Sequence, residues 1–346
     1  MLKLFAYNRV SGVSDSKLMV LFLSEKEEEG QIFQKIKTSP FKKMVEFVSD
    51  VNEADFIIMP HDYYYVQYEE KYLSDLDEFA GKHGKKILVF FYGDLVDKVP
   101  MNNVLVLRTS ANRSNVSDNE IILPAFIEDI GEQYGVSSRH KASSKPIIGF
   151  AGMVAMPTWK NEIKFQIKMF ITTVKVLLGF RKRSETQGLY FRRRLVKILS
   201  NCNTCSTNFI IRNSFSALEK TITMDPKVLR EEYIEVLDSS DLSLVVRGDG
   251  NFSLRFFEVL AKGSVPLFID TDTPLPLENE IDYDSFMLRV DHSEMKNLPK
   301  ILEDFWSAIS DEEYQGMQKK AREVFETKLK ADVFYKDLFE KLANRA

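Results

Sequence analysis

Apolar positions along this chain follow two alternating rhythms. In the first third, LKLFAYN, KLMVLFL, ADFIIMP, KKILVFFYGD, NVLVLRTS and EIILPAF are short apolar runs that read as strands. Between them, EGQIFQKIK and FKKMVEFVSD read as helical pieces broken at Pro40, and YEEKYLSDLDEFAGKHG as an amphipathic helix stopped by glycine. Strand and helix in repeated alternation predict an α/β fold with a mostly parallel sheet covered on both faces. The polar, serine-rich GVSSRHKASSKP at 135–146 then reads as a linker, which divides the chain into domains at 1–140 and 146–346. Beyond it come a strand with a glycine turn (PIIGFAGM), a long helix (NEIKFQIKMFITTVKVLLGF), a basic helix (RKRSETQGLYFRRRLVKILSN) and a strand, FIIRNSF, ending near Arg212. DPKVLREEYIEVLDSS reads as a helix opened by proline, and IDYDSFMLRV, NLPKILEDFWSAI and a helical tail close the second domain.

The segment 241–270, DLSLVVRGDGNFSLRFFEVLAKGSVPLFID, is the most informative, because it reads as one βαβ unit with a glycine loop before its helix. Glycines around Asp249 allow a tight turn at a helix N-terminus, where unpaired N–H groups and the helix dipole favour a phosphate. Arg255 and Glu258 are three apart and share one helical stripe, while Phe256, Phe257 and Leu260 turn toward the sheet. An arginine fork suits a diphosphate and a carboxylate suits the two hydroxyls of a ribose, so the stripe predicts a nucleoside diphosphate site.

The same stretch resembles the donor-binding signature of the exostosin family of glycosyltransferases: an Arg-Gly loop, a Ser-x-Arg-x-x-Glu helix, a glycine and a Val-Pro strand. NEADFIIMPHDYYY is similar to that family's Glu-Ala-Asp strand ending on proline, PIIGFAGM to its Phe-x-Gly turn, and Tyr233 to Ser240 to its approach to the donor loop. The resemblance implies two Rossmann-like domains facing a cleft (GT-B architecture), with acceptor on the first and nucleotide sugar on the second. It implies an inverting hexosyl- or pentosyltransferase of polysaccharide or glycoconjugate synthesis, UDP-sugar first, with no metal and no cofactor. Gly152, Arg212, Arg247, Gly250, Asn251, Ser253, Arg255 and Glu258 would then bind the donor. A glycan or glycolipid would be the acceptor.

An inverting transfer needs a base on the acceptor side. Asp62 and His61 after ADFIIMP, Asp94 after ILVFFYG, and Asp15 are the candidates, and Asp62 is preferred because Tyr63, Tyr64 and Tyr65 beside it suit a sugar ring.

Composition narrows the field. With 346 residues, 44% of them hydrophobic, and a net charge of −4, the chain can fill two cores and shows no bias toward nucleic acid. No apolar run is long enough for a membrane span and no signal segment opens the chain, so a cytoplasmic protein with at most peripheral membrane contact is expected. That profile, with two cysteines, fits a bacterial or viral member of the family better than a Golgi one. Cys202 and Cys205 could form half a zinc site, but the four histidines are scattered. Asn112, Asn115 and Asn251 fit the N-glycosylation pattern, although a glycan on Asn251 would plug the phosphate loop. Arg181, Lys182, Arg183 and Arg192 to Arg194 read as a solvated helix face or as a surface for an anionic acceptor or lipid phosphate. Three alternatives stand beside the transferase. Asp270-Thr271-Asp272 could hold a metal, Gly248-Asp249-Gly250 with Asp270 approximates an NAD fingerprint, and a decayed transferase fold could only bind glycans.

Overall fold

The computed structural model describes residues 1–30, 34–214 and 224–345. In chain order its strands are β1 (Leu2–Ala6), β2 (Glu28–Glu29), β3 (Ile36–Lys37), β4 (Val45–Phe47), β5 (Phe56–Asp62), β6 (Lys86–Phe91), β7 (Val104–Arg108), β8 (Glu120–Ile122), β9 (Ile147–Met153), β10 (Ser206–Arg212), β11 (Leu242–Val245), β12 (Val265–Asp270) and β13 (Leu288–Asp291). They build a six-stranded sheet in the order β4-β1-β5-β6-β7-β8 and a five-stranded sheet in the order β10-β9-β11-β12-β13, while β2 and β3 form a separate antiparallel pair. Every pairing within the two large sheets is parallel. In each sheet the winding direction reverses beside its first strand, between β1 and β5 and between β9 and β11. Open parallel sheets place ligands outside the carboxyl ends of the strands at such reversals.

Helices cover both faces, so β5 and β12 are buried at every position and apolar up to their carboxyl ends. Helix Glu70–His83 packs Leu73, Leu76 and Ala80 on one face of the first sheet. It stops at Gly84, whose φ of 62° is the left-handed turn that glycine adopts without strain. The opposite face carries helix Ala331–Ala343 through Phe334, Tyr335 and Phe339. This last helix, expected with the second half of the chain, thus crosses back onto the first sheet. Truncating a buried ring such as Phe339 there would cost about 3–5 kcal/mol.

Two early elements differ from expectation. KLMVLFL is helix Lys17–Leu23, not a strand: the Ser16 hydroxyl caps it by accepting the Met19 N–H at 3.2 Å, and Leu18, Met19, Leu21 and Phe22 make the buried stripe. FKKMVEFVSD holds a 3₁₀ turn, Phe41–Lys43, followed by strand β4 rather than a helix. Residues 31–33 of EGQIFQKIK lie outside the described residues, and its flanks are β2 and β3. Phe215, at the end of FIIRNSF, is likewise outside them.

Loops at the carboxyl ends of the two sheets meet directly. The Arg113 N–H donates to the Asp272 carbonyl at 2.7 Å, and Ser114 binds the Asp272 carboxylate through both its N–H and its hydroxyl.

Candidate active site

Helix Leu254–Lys262 begins right after the loop that follows β11 and ends at Gly263, in the left-handed region at φ 72°. Its buried face includes Phe256, Phe257 and Leu260, which leaves Arg255 and Glu258 half-buried on the outer stripe. The Arg255 guanidinium reaches across to the end of β9 and donates to the Ala151 carbonyl. It sits 4.7 Å from the Phe150 ring centre and 5.5 Å from that of Tyr233. A Cβ on Gly152 would lie 2.9 Å from Nη2 of Arg255, so a side chain there would displace the guanidinium. The Nε–H of Arg255 is buried and without a partner.

A second cation stands beside the first. Arg192 donates through Nη2 to the Arg247 carbonyl at 3.0 Å, and its Nε–H is also buried without a partner. Burial first, and then the nearby Arg255 charge, pull the Arg192 guanidinium down to about 10. Two like charges held together with unmet N–H donors are poorly satisfied alone and well suited to an anion. Composition hid Arg192 inside a basic run. The helical spacing carried the signal, since Arg192 is three residues from both Leu189 and Leu195, which are buried, while Arg193 pairs with Glu162 and Arg194 with the Tyr190 hydroxyl.

Glu258 lies one turn deeper, and its Oε1 accepts from Nη1 of Arg230 at 2.8 Å. Arg230 also approaches Glu128 at 3.5 Å, which ties helix Leu254–Lys262 to the chain between the sheets.

Three N–H groups of the glycine loop bond within the protein: Gly248 donates to the Phe252 carbonyl at 2.8 Å, Gly250 to the Asp94 carboxylate at 3.0 Å and Asn251 to the Ser110 hydroxyl at 2.8 Å. Glycine is required at 250 because a Cβ would stand 2.6 Å from the Asp94 Cα. Asn251 is fully buried, with its amide donating to Asn112, Thr271 and Asp272 and its oxygen accepting from the hydroxyls of Thr271 and Thr273. Arg247 spends its fork on the carbonyls of Gly250, Ser184 and Asp249. Gly250 and Asn251 thus join the loop to Asp94, Ser110 and Asn112 of the first sheet's loops, whereas Arg247 braces the loop from within its own half. Arg212 is half-committed, with Nη2 2.7 Å from Glu232, and Ser253 is the extended residue before the helix, with no capping bond from its side chain.

The carboxylates of the Asp270-Thr271-Asp272 run have partners within the protein: Asp270 is ion-paired with Arg113 at 2.9 Å and Arg289 at 3.2 Å, and Asp272 is held by Ser114. Among the described residues no group of three or more metal-ligating side chains comes together. Cys202 and Cys205 sit with their sulfurs 2.8 Å apart.

On the first sheet, His61 and Asp62 end β5 and behave differently. Nε2 of His61 accepts from the Val10 N–H at 2.8 Å, and Nδ1 donates to the Ser14 carbonyl at 2.9 Å, so both ring nitrogens are spent on a loop. Asp15 pairs with Arg9, and Asp94 with Gly250. Asp62 accepts from the N–H groups of Tyr64 and Tyr92, each at 3.0 Å, and burial pushes its carboxyl up to about 7 against those two bonds. Lys17 lies nearby, 5.4 Å from the Tyr92 ring centre and 4.7 Å from that of Phe126, and burial pulls its ammonium down to about 8. The Tyr92 ring also meets Phe252, the residue preceding Ser253, so the cluster around Asp62 abuts the segment that leads into helix Leu254–Lys262. Tyr63 packs inward on Phe91, whereas Tyr64 and Tyr65 are exposed.

Comparison with known proteins finds one match that spans both halves. A family model described as the Exostosin GT47 domain matches residues 23–305. A protein described as "Exostosin-1 homolog" from Caenorhabditis elegans is 23% identical over 363 residues, covering 97% of this chain and 88% of that protein.

Proposed function

The chain belongs to the exostosin family and is therefore a glycosyltransferase acting between a sugar donor and a glycan acceptor; from that premise we propose an inverting enzyme of GT-B architecture that uses a nucleoside diphosphate sugar. UDP is the first choice, on the family alone. The observation that carries this reading is the pair Arg255 and Arg192 at the carboxyl edge of the second sheet, each with a buried, unpartnered Nε–H.

In this reading the diphosphate lies against the two guanidiniums, and the Glu258 carboxylate accepts from the ribose hydroxyls. The acceptor hydroxyl attacks the anomeric carbon from the face opposite the diphosphate. Its proton passes to the Asp62 carboxylate, the bond from carbon to the diphosphate oxygen breaks, and the departing charge is met by Arg255 and Arg192. Asp62 suits the role because a base working near neutral pH performs best with a pKa near that pH, and burial sets it at about 7. His61 is the weaker choice, having no free nitrogen. The cations occupy the place where a metal would otherwise neutralise phosphate charge, which supports a reaction without one.

A thermal-shift screen of nucleoside diphosphates, their sugars and NAD tests the proposal. Stabilisation by one nucleoside diphosphate and not by NAD is the expected outcome; stabilisation by NAD alone would contradict it.

A further inference from the structure

Helix Trp159–Leu177 has two apolar faces. The inner one seats Phe165 and Met169 against Leu189. On the outer one Trp159, Ile163, Ile167, Phe170, Val174 and Leu177 are exposed, Phe170 at 70% and Leu177 at 75%. At about 100° per residue these outer positions fall within one arc of roughly 80° running the length of the helix, on the side away from Phe165 and Met169. Exposed large side chains scattered singly need no explanation, but a continuous stripe does.

Charge says what the stripe faces. Lys160, Lys164, Lys168 and Lys175 line one border of the arc, and Arg181 and Lys182 follow its end. The one acidic residue between 159 and 182 is Glu162, which is already paired with Arg193 at 2.7 Å. The segment is thus strongly cationic in a chain of net charge −4. A second copy docking on this face would oppose lysine to lysine. No helix among the described residues is long and apolar enough to cross a membrane, whereas an amphipathic helix with aromatic and aliphatic residues on one face and lysines beside them lies in the plane of an anionic lipid surface.

We propose that the outer face of helix Trp159–Leu177 docks the enzyme on an anionic phospholipid bilayer, with the Trp159 to Leu177 stripe at the acyl boundary and the lysines on the headgroups. The inference stands apart from the transfer chemistry, since none of these residues belongs to the site described above.

Trp159 and Trp306 are the two tryptophans, and Trp306 is buried at 1% exposure, so a change in tryptophan emission on adding vesicles reports on Trp159. The full chain is titrated with phosphatidylcholine vesicles and with vesicles containing phosphatidylserine. A blue shift and co-sedimentation only with the anionic vesicles are expected, and added salt should reverse both. Each lysine near such a surface is worth about fivefold in affinity, so Lys164→Ala with Lys168→Ala should weaken binding more than tenfold, as should Ile167→Glu with Phe170→Glu. All four positions are exposed, so the thermal transition should stay in place. Absence of phosphatidylserine-dependent binding would overturn the proposal, as would wild-type binding by both variants. A dimer in sedimentation that Phe170→Glu dissociates would overturn it in favour of a second copy.

Discussion

Arg247 and Arg255 lie eight residues apart in one βαβ unit, and their surroundings give them opposite work. Arg247 is enclosed by carbonyls of its own loop and of Ser184, so its donors are satisfied before any ligand arrives. Arg255 is laid between two rings with an Nε–H that nothing meets. Residue type is the same at the two positions. What differs is how much of each guanidinium the fold has already spent, and only unspent donors can bind a ligand or a transition state preferentially.

The base provides the largest predicted effect. Asp62→Asn should lower kcat by about a hundred- to ten-thousandfold while nucleotide affinity stays near wild type. Because burial raises this carboxyl to about 7, the base is protonated and lost as pH falls below that value. Wild-type kcat should therefore drop about tenfold per pH unit on the acid side, and the variant should lack that limb. A pH–rate profile of both proteins checks the pair of expectations, and an unchanged kcat in the variant would move the role to Asp94.

Asn251→Ala probes the committed side of the comparison. It would orphan the hydroxyls of Thr271 and Thr273 and the carbonyls that its amide serves, a loss of about 3 kcal/mol of stability read by urea denaturation. Nucleotide affinity of the folded protein should hold. Weakened affinity with unchanged stability would return the loop to the donor site.

A smaller effect is expected at Glu258. Glu258→Gln keeps an acceptor for Arg230 and removes the charge offered to the ribose, so calorimetry with UDP should show about tenfold weaker binding. Equal affinity would leave Glu258 as a structural partner of Arg230.

How much of this was legible depended on the reach of the interactions. The unit at 241–270 was readable because strand, glycine stop and helix are set within thirty residues by local chemistry. KLMVLFL was misread because a short all-apolar run carries no period, and the Ser16 cap decided the matter. The contact of Gly250 with Asp94 was not readable, since the two lie 156 positions apart. Arg192 was hidden by neighbours of the same charge, and Glu258 was singled out without its partner Arg230, which sits 28 positions earlier on another helix.

The most direct test is a calorimetric titration of UDP into wild type, Arg255→Ala and Arg247→Met in parallel. If the diphosphate rests on the unspent guanidiniums, Arg255→Ala should weaken binding by about ten- to a hundredfold with its stability intact, and Arg247→Met should lose stability first. Affinity within about threefold of wild type in Arg255→Ala would contradict the assignment of this stripe to the donor.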